Sequence, residues 1–142
     1  MESVYSQLMT FKKKYPMTIT HHRLKKHASI IEKHLNPGEV VQYAFAAQKN
    51  NKALEFFETC AVVITNERLL IGQKRVIFGY FLNSITPDLY NDMQVHSTLL
   101  WGGITIDTVK EKVELSNIDK RALPEIETNI TSFMMEAKKD YD

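Results

Sequence analysis

Four of the five histidines, His21, His22, His27 and His34, fall in one short segment of the chain, interleaved with Arg23, Lys25, Lys26 and Lys33. Zinc is the first chemistry such a cluster raises. Two imidazoles on one helix reach the same ion when they stand one turn apart, typically at i and i+4. None of these four has that spacing, so they read as surface histidines. Cys60 is the single cysteine, which excludes an internal disulfide. A nucleophilic role would need a thiolate. Its place in the apolar run Cys60-Ala-Val-Val-Ile64 reads instead as a buried small hydrophobe. There is no HExxH, no CxxC and no phosphate-cradling glycine loop; Gly102-Gly103 ahead of Ile104 is a turn signal without nucleotide-binding spacing. The chain reads as a non-enzymatic protein without metal or cofactor.

The cations carry more information. Up to Asn36 there are seven Lys or Arg against two acids, and beyond it eleven against fifteen. A basic arm of +5 thus precedes a segment of −4, although the whole chain is only +1. The candidate anion- or partner-binding set is Lys12, Lys13, Lys14, Arg23, Lys25 and Lys26 on the arm, with Lys49 and Lys52 beyond it. A basic amphipathic helix can lie on an anionic membrane or contact nucleic-acid phosphates. More often such a helix docks its apolar side on its own domain and leaves its charges in water. No apolar stretch approaches the roughly 18 residues of a membrane span, and the N-terminus lacks a signal-peptide core. A cytoplasmic protein is expected.

The elements that must position these groups follow from periodicity. With 142 residues, 44% of them hydrophobic and 25% charged, the chain can bury a core of its own. Organisation changes near Asn36-Pro37-Gly38, which divides the chain into an N-terminal helical extension, 1–36, and a domain over 37–142. Before the break, Val4, Leu8 and Phe11, then Leu24, Ala28, Ile31 and Leu35, recur at helical spacing, with Pro16 between the two helices and Thr20 placed to cap the second. After it, seven segments have strand composition: Val41 to Phe45, Cys60 to Thr65, Leu69 to Gln73, Gly79 to Thr86, Met93 to His96, Ile104 to Thr108 and Val113 to Leu115. Turn formers separate them at Asn50-Asn51, Asn66-Glu67, Lys74-Arg75, Pro87-Asp88 and Gly102-Gly103. A last helix begins near Pro124, with Glu125 and Glu127 at its positive end, Ile126, Ile130, Phe133 and Met134 in its apolar stripe, and Lys138 and Lys139 at its close. The fold expected is mainly β with α: a bent antiparallel sheet or partly open barrel of about seven strands, capped by the C-terminal helix.

Four phrases in order, Leu35-Asn-Pro-Gly-Glu39, Thr65-Asn-Glu-Arg68-Leu, Ile85-Thr-Pro-Asp-Leu89 and Trp101-Gly-Gly-Ile-Thr-Ile106, resemble bacterial pleckstrin-homology (PH) domains of the YokE-like kind, within the PH/GRAM-like superfold. The resemblance runs from Leu35 to about Lys139 and leaves the first 34 residues outside. It implies a binding platform for lipid headgroups, peptides or proteins, with self-association recurrent among similar domains. In phosphoinositide-binding relatives the first hairpin carries converging cations. Here Lys49 and Lys52 are followed by Glu55 and Glu58, a poor cage for a polyphosphate.

These readings converge on a protein-interaction module that self-associates, with a peripheral binder of anionic lipid or nucleic acid through the N-terminal helices as the alternative. The candidate interface is Tyr80 and Phe81 in one uncharged segment and Leu99, Leu100 and Trp101 in another, both read as edge segments. Arg68, directly after the hairpin turn, is expected to bond nearby carboxylates or carbonyls.

Overall fold

The computed structural model describes residues 3–20, 24–51, 56–75 and 78–139, and of 50, 51 and 56–58 the backbone alone. Helices α1 (Val4–Lys14) and α2 (Leu24–His34) come first. Seven strands follow: β1 (Val41–Asn51), β2 (Phe56–Thr65), β3 (Leu69–Lys74), β4 (Tyr80–Ile85), β5 (Tyr90–Ser97), β6 (Trp101–Thr108) and β7 (Lys112–Asp119). Helix α3 (Leu123–Lys138) closes the order. The strands form one antiparallel sheet in the order β4-β3-β2-β1-β7-β6-β5. It curls into a half-barrel, as the short-period runs imply, and β4 and β5 are its two edges.

Alternation sorts the side chains of the first three strands onto two faces, and both faces are buried. Phe45, Ala47, Cys60, Val62, Ile64, Leu69 and Ile71 point into the main core, which Ile126, Ile130 and Met134 of α3 close. Ala44, Ala46, Ala61, Val63 and Leu70 point the other way, against Val4 and Leu8 of α1 and Ala28 and Ile31 of α2. Double-sided burial explains why the segment from Cys60 to Ile64 is a continuous apolar run rather than an alternating one. The small residues on the outer face let the helices approach. At Gly72 a Cβ would lie 2.6 Å from Ile31 Cγ1, so only glycine leaves room for α2. The N-terminal helices therefore dock on the sheet.

Three local expectations are corrected. Gly102 and Gly103 do not make a turn: both lie inside β6, paired with β5 and β7. They are glycines because neighbours press on the strand; a Cβ on Gly102 would stand 2.6 Å from Leu123 Cδ1, and one on Gly103 would meet the His96 ring. The chain reverses at Thr98 to Leu100 instead, which makes Leu99 and Leu100 a hairpin tip and Trp101 the start of an interior strand, not an edge. Asn50 and Asn51 continue β1, opposite Phe57 and Phe56. The expected cap at Thr20 bears on residues 21–23, which lie outside the described residues.

Candidate protein-binding surface

Strand β4 pairs with β3 on one side and, among the described residues, with no strand on the other. Its six residues, Tyr80-Phe-Leu-Asn-Ser-Ile85, carry no charge. Edges are ordinarily guarded by charge, proline or cover, because their free N–H and C=O groups template pairing with another chain. This one instead displays aromatics. Phe78 is 79% exposed, Tyr80 48% and Phe81 36%. The turn before it is fixed by Gly79 at φ +84°, a conformation that favours glycine, with Arg75 N donating to Gly79 O at 3.1 Å. Tyr80 is steadied from α2: its hydroxyl lies 3.0 Å from His34 Nε2, while His34 Nδ1 donates to Ile30 O. Phe81 lies under two cations, Lys49 Nζ at 5.8 Å and Arg75 Cζ at 4.7 Å from the ring centre.

The cations of the N-terminal arm do not converge on one site. Lys12 Nζ turns back to the carbonyls of Pro16 and Thr18, which closes the C-terminal end of α1. Lys14 pairs with Glu125 at 2.6 Å, and Glu125 also accepts from the hydroxyls of Tyr15 and Tyr43. Burial pushes the Glu125 carboxyl up, but Lys14 and the two tyrosine hydroxyls outweigh it and hold it below the usual carboxylate range. Lys25 covers the Tyr5 ring. Lys13 and Lys26 are exposed. Arg23 lies outside the described residues, as do His21 and His22. The second cationic pair is also dispersed: Lys49 Nζ donates to Asn83 Oδ1 at 3.3 Å, Asn83 donates on to Glu111, and Lys52 is outside the described residues.

His27 is not a surface histidine. It is 4% exposed, and its Nδ1 accepts the N–H of Lys74 at 2.8 Å, tying α2 to the end of β3. Its partner is a backbone group 47 residues away, which leaves no trace in local spacing. Trp101 packs as well as displays, donating from Nε1 to Met17 O at 2.9 Å. Cys60 is fully buried, and burial pushes its thiol up to about 12. The native protein should therefore resist Ellman's reagent at pH 8 and react with one equivalent only after denaturation; rapid native reaction would contradict the buried placement.

Sequence reasoning missed a groove of about 630 Å³ between β5 and α3, lined by Tyr90, Asp92, Met93, Glu127, Thr131 and Lys138. Each of these residues reads locally as ordinary strand or helix surface, and only tertiary placement joins them.

A curled antiparallel sheet plugged by a C-terminal helix, with two open edges and shallow surface grooves, defines the PH-like class of binding platform. The chain belongs to the bacterial PH domain family, whose model matches residues 35–131. Among solved structures it is similar to a pleckstrin homology domain from Shewanella amazonensis, with 18% identity, a TM-score of 0.51, and coverage of 82% of this chain and 91% of that one. At that identity the likeness concerns the fold. No curated protein matches the chain. No helix among the described residues is long and apolar enough to cross a membrane.

Proposed function

We propose that this PH-like domain is a protein-interaction module that associates with a second copy of itself, edge to edge along β4, without catalysis. The observation that carries this reading is the β4 edge, uncharged in its own residues, with Tyr80 and Phe81 exposed on it and Phe78 exposed in the turn just before it. Pairing two such edges across a twofold axis satisfies the free backbone groups of both and buries the aromatics at about 25 cal/mol per Å² of apolar surface. An interface of that kind is driven by apolar burial and main-chain bonds, so it responds weakly to salt. Light scattering at micromolar concentration should give a mass of at least two chains in both low and high salt. A monomer in both would end the reading. An assembly that dissolves in high salt would move the contact from β4 to the basic arm.

A further inference from the structure

The groove between β5 and α3 carries more negative charge than the protein neutralises. Asp92 comes from its β5 wall and Glu127 from its α3 wall. Both residues are exposed, and among the described residues neither is in an ion pair. Asp107 lies directly across the β5–β6 ladder from Asp92, so the neighbouring strand adds a like charge instead of a cation. Among the described residues that line the groove the cation is Lys138, and its Nζ sits over the Tyr90 ring, 5.6 Å from the centre, rather than in an ion pair with a carboxylate.

Tyr90 points to a ligand independently of these charges. It lines the groove and is only 8% exposed, yet its hydroxyl has no hydrogen-bond partner among the described residues. A polar group so far buried is ordinarily satisfied, and a donor entering the groove would satisfy this one. Burial, then the negative charges of Asp92 and Glu127, push the phenol above its ordinary value, so both carboxylates act on the same point. Met93 and Met134, 9% and 1% exposed, line the groove between them, and thioether side chains adapt to a flexible aliphatic chain. A volume of about 630 Å³ is in the range of sites for small molecules.

We propose that this groove binds an aliphatic diamine or polyamine, with one ammonium group at Asp92, another at Glu127, the intervening methylenes on Met93 and Met134, and an N–H donated to the Tyr90 hydroxyl. Carboxylates on two walls call for two cationic ends, which a monoamine lacks. They and the phenol oxygen also call for N–H donors, which a quaternary ammonium lacks. Lys138 is the protein's own ammonium on an aliphatic stem, and where it covers Tyr90 it competes with the ligand. The site lies on the β5 edge, at the other end of the strand order from β4, and goes beyond the self-association reading.

Calorimetric titration of the full chain with spermidine, at an ionic strength held constant with sodium chloride, should show saturable binding of one spermidine per chain. Butylamine should bind at least about tenfold more weakly. Asp92→Asn/Glu127→Gln should lose at least about tenfold in affinity for spermidine with unchanged circular dichroism, since both side chains stand at the surface. Lys138→Met should bind about threefold more tightly, because it uncovers the ring and removes the competing cation. A merely structural lysine would not give that gain. Absence of saturable spermidine binding would overturn the proposal, as would binding indifferent to the carboxylate substitutions, or unchanged or weakened binding in Lys138→Met. Binding of a lysine-rich peptide without binding of spermidine would also overturn it, by making the groove a protein contact.

Discussion

Replacing Arg68 by alanine is expected to cost about 3–5 kcal/mol of stability, the range for breaking a buried ion pair by removing one partner. Its guanidinium donates from Nε to Glu39 Oε2 at 2.9 Å and from Nη2 to Glu39 Oε1 at 3.0 Å. It also reaches His34 O and Ser84 Oγ, both at 3.0 Å. One side chain thus joins the end of α2, the turn before β1, and strand β4. The Glu39 side chain has no exposed surface, against 16% for that of Arg68. Alanine would strand a buried carboxylate. Burial by itself pushes the Glu39 carboxyl up, but Arg68, the Asn36 N–H and the Thr65 hydroxyl outweigh it and hold it below its ordinary value.

That balance gives the sign of the pH dependence. In the native protein the depressed carboxyl contributes stability that is present above the unfolded carboxylate range and is lost as pH falls through the folded value. Without Arg68, burial prevails and the carboxyl takes up its proton more readily. The deficit of Arg68→Ala should therefore be largest near pH 7 and shrink toward about pH 4. Urea titrations at the two pH values check this, and Glu39→Gln/Arg68→Ala should recover part of the loss at pH 7. A deficit that stayed constant with pH, or one under about 1 kcal/mol, would show that Glu39 is not held by Arg68.

The second large effect is expected at Ile31. It is fully buried on α2, against the outer face of the sheet at Gly72. Ile31→Ala leaves a cavity that the stiff sheet cannot close, and should cost about 2–5 kcal/mol. Because α1 and α2 cover one whole face of β1–β3, the variant should still unfold in a single transition at a lower urea midpoint. If the sheet kept its full midpoint while helical signal melted separately, the helices would be an appendage rather than part of the cooperative unit.

What was legible in the sequence, and what was not, follows from the range of the interactions. All seven strands and the last helix were readable, because period-two and period-3.6 patterns are local. The structural role of Arg68 was also readable from its place after the turn, but its partner Glu39, 29 residues earlier, was not. Gly102 and Gly103 misled because a glycine that makes room for Leu123 or His96 is spelled like one that makes a turn. Docking of the N-terminal helices left only the small residues Ala44, Ala46, Ala61 and Gly72 on one face of the strands as its mark. The edge character of Tyr80 and Phe81 was legible, since an uncharged aromatic strand is unusual at any position. For Leu99, Leu100 and Trp101 the edge reading was wrong, because the leucines sit in the β5–β6 turn and Trp101 opens a strand paired on both sides.

The central claim is that β4 pairs with a second copy of the chain. Amide hydrogen exchange across Tyr80–Ile85, measured below and above the concentration at which the assembly forms, tests it most directly. An edge strand has outward N–H groups bonded to nothing but water, and pairing covers them. Exchange at those β4 amides should slow as the assembly forms, while the amides of β5, the other edge, keep their rates. Unchanged exchange at β4 in a fully assembled sample, with new protection at β5 or on the N-terminal helices, would contradict the account.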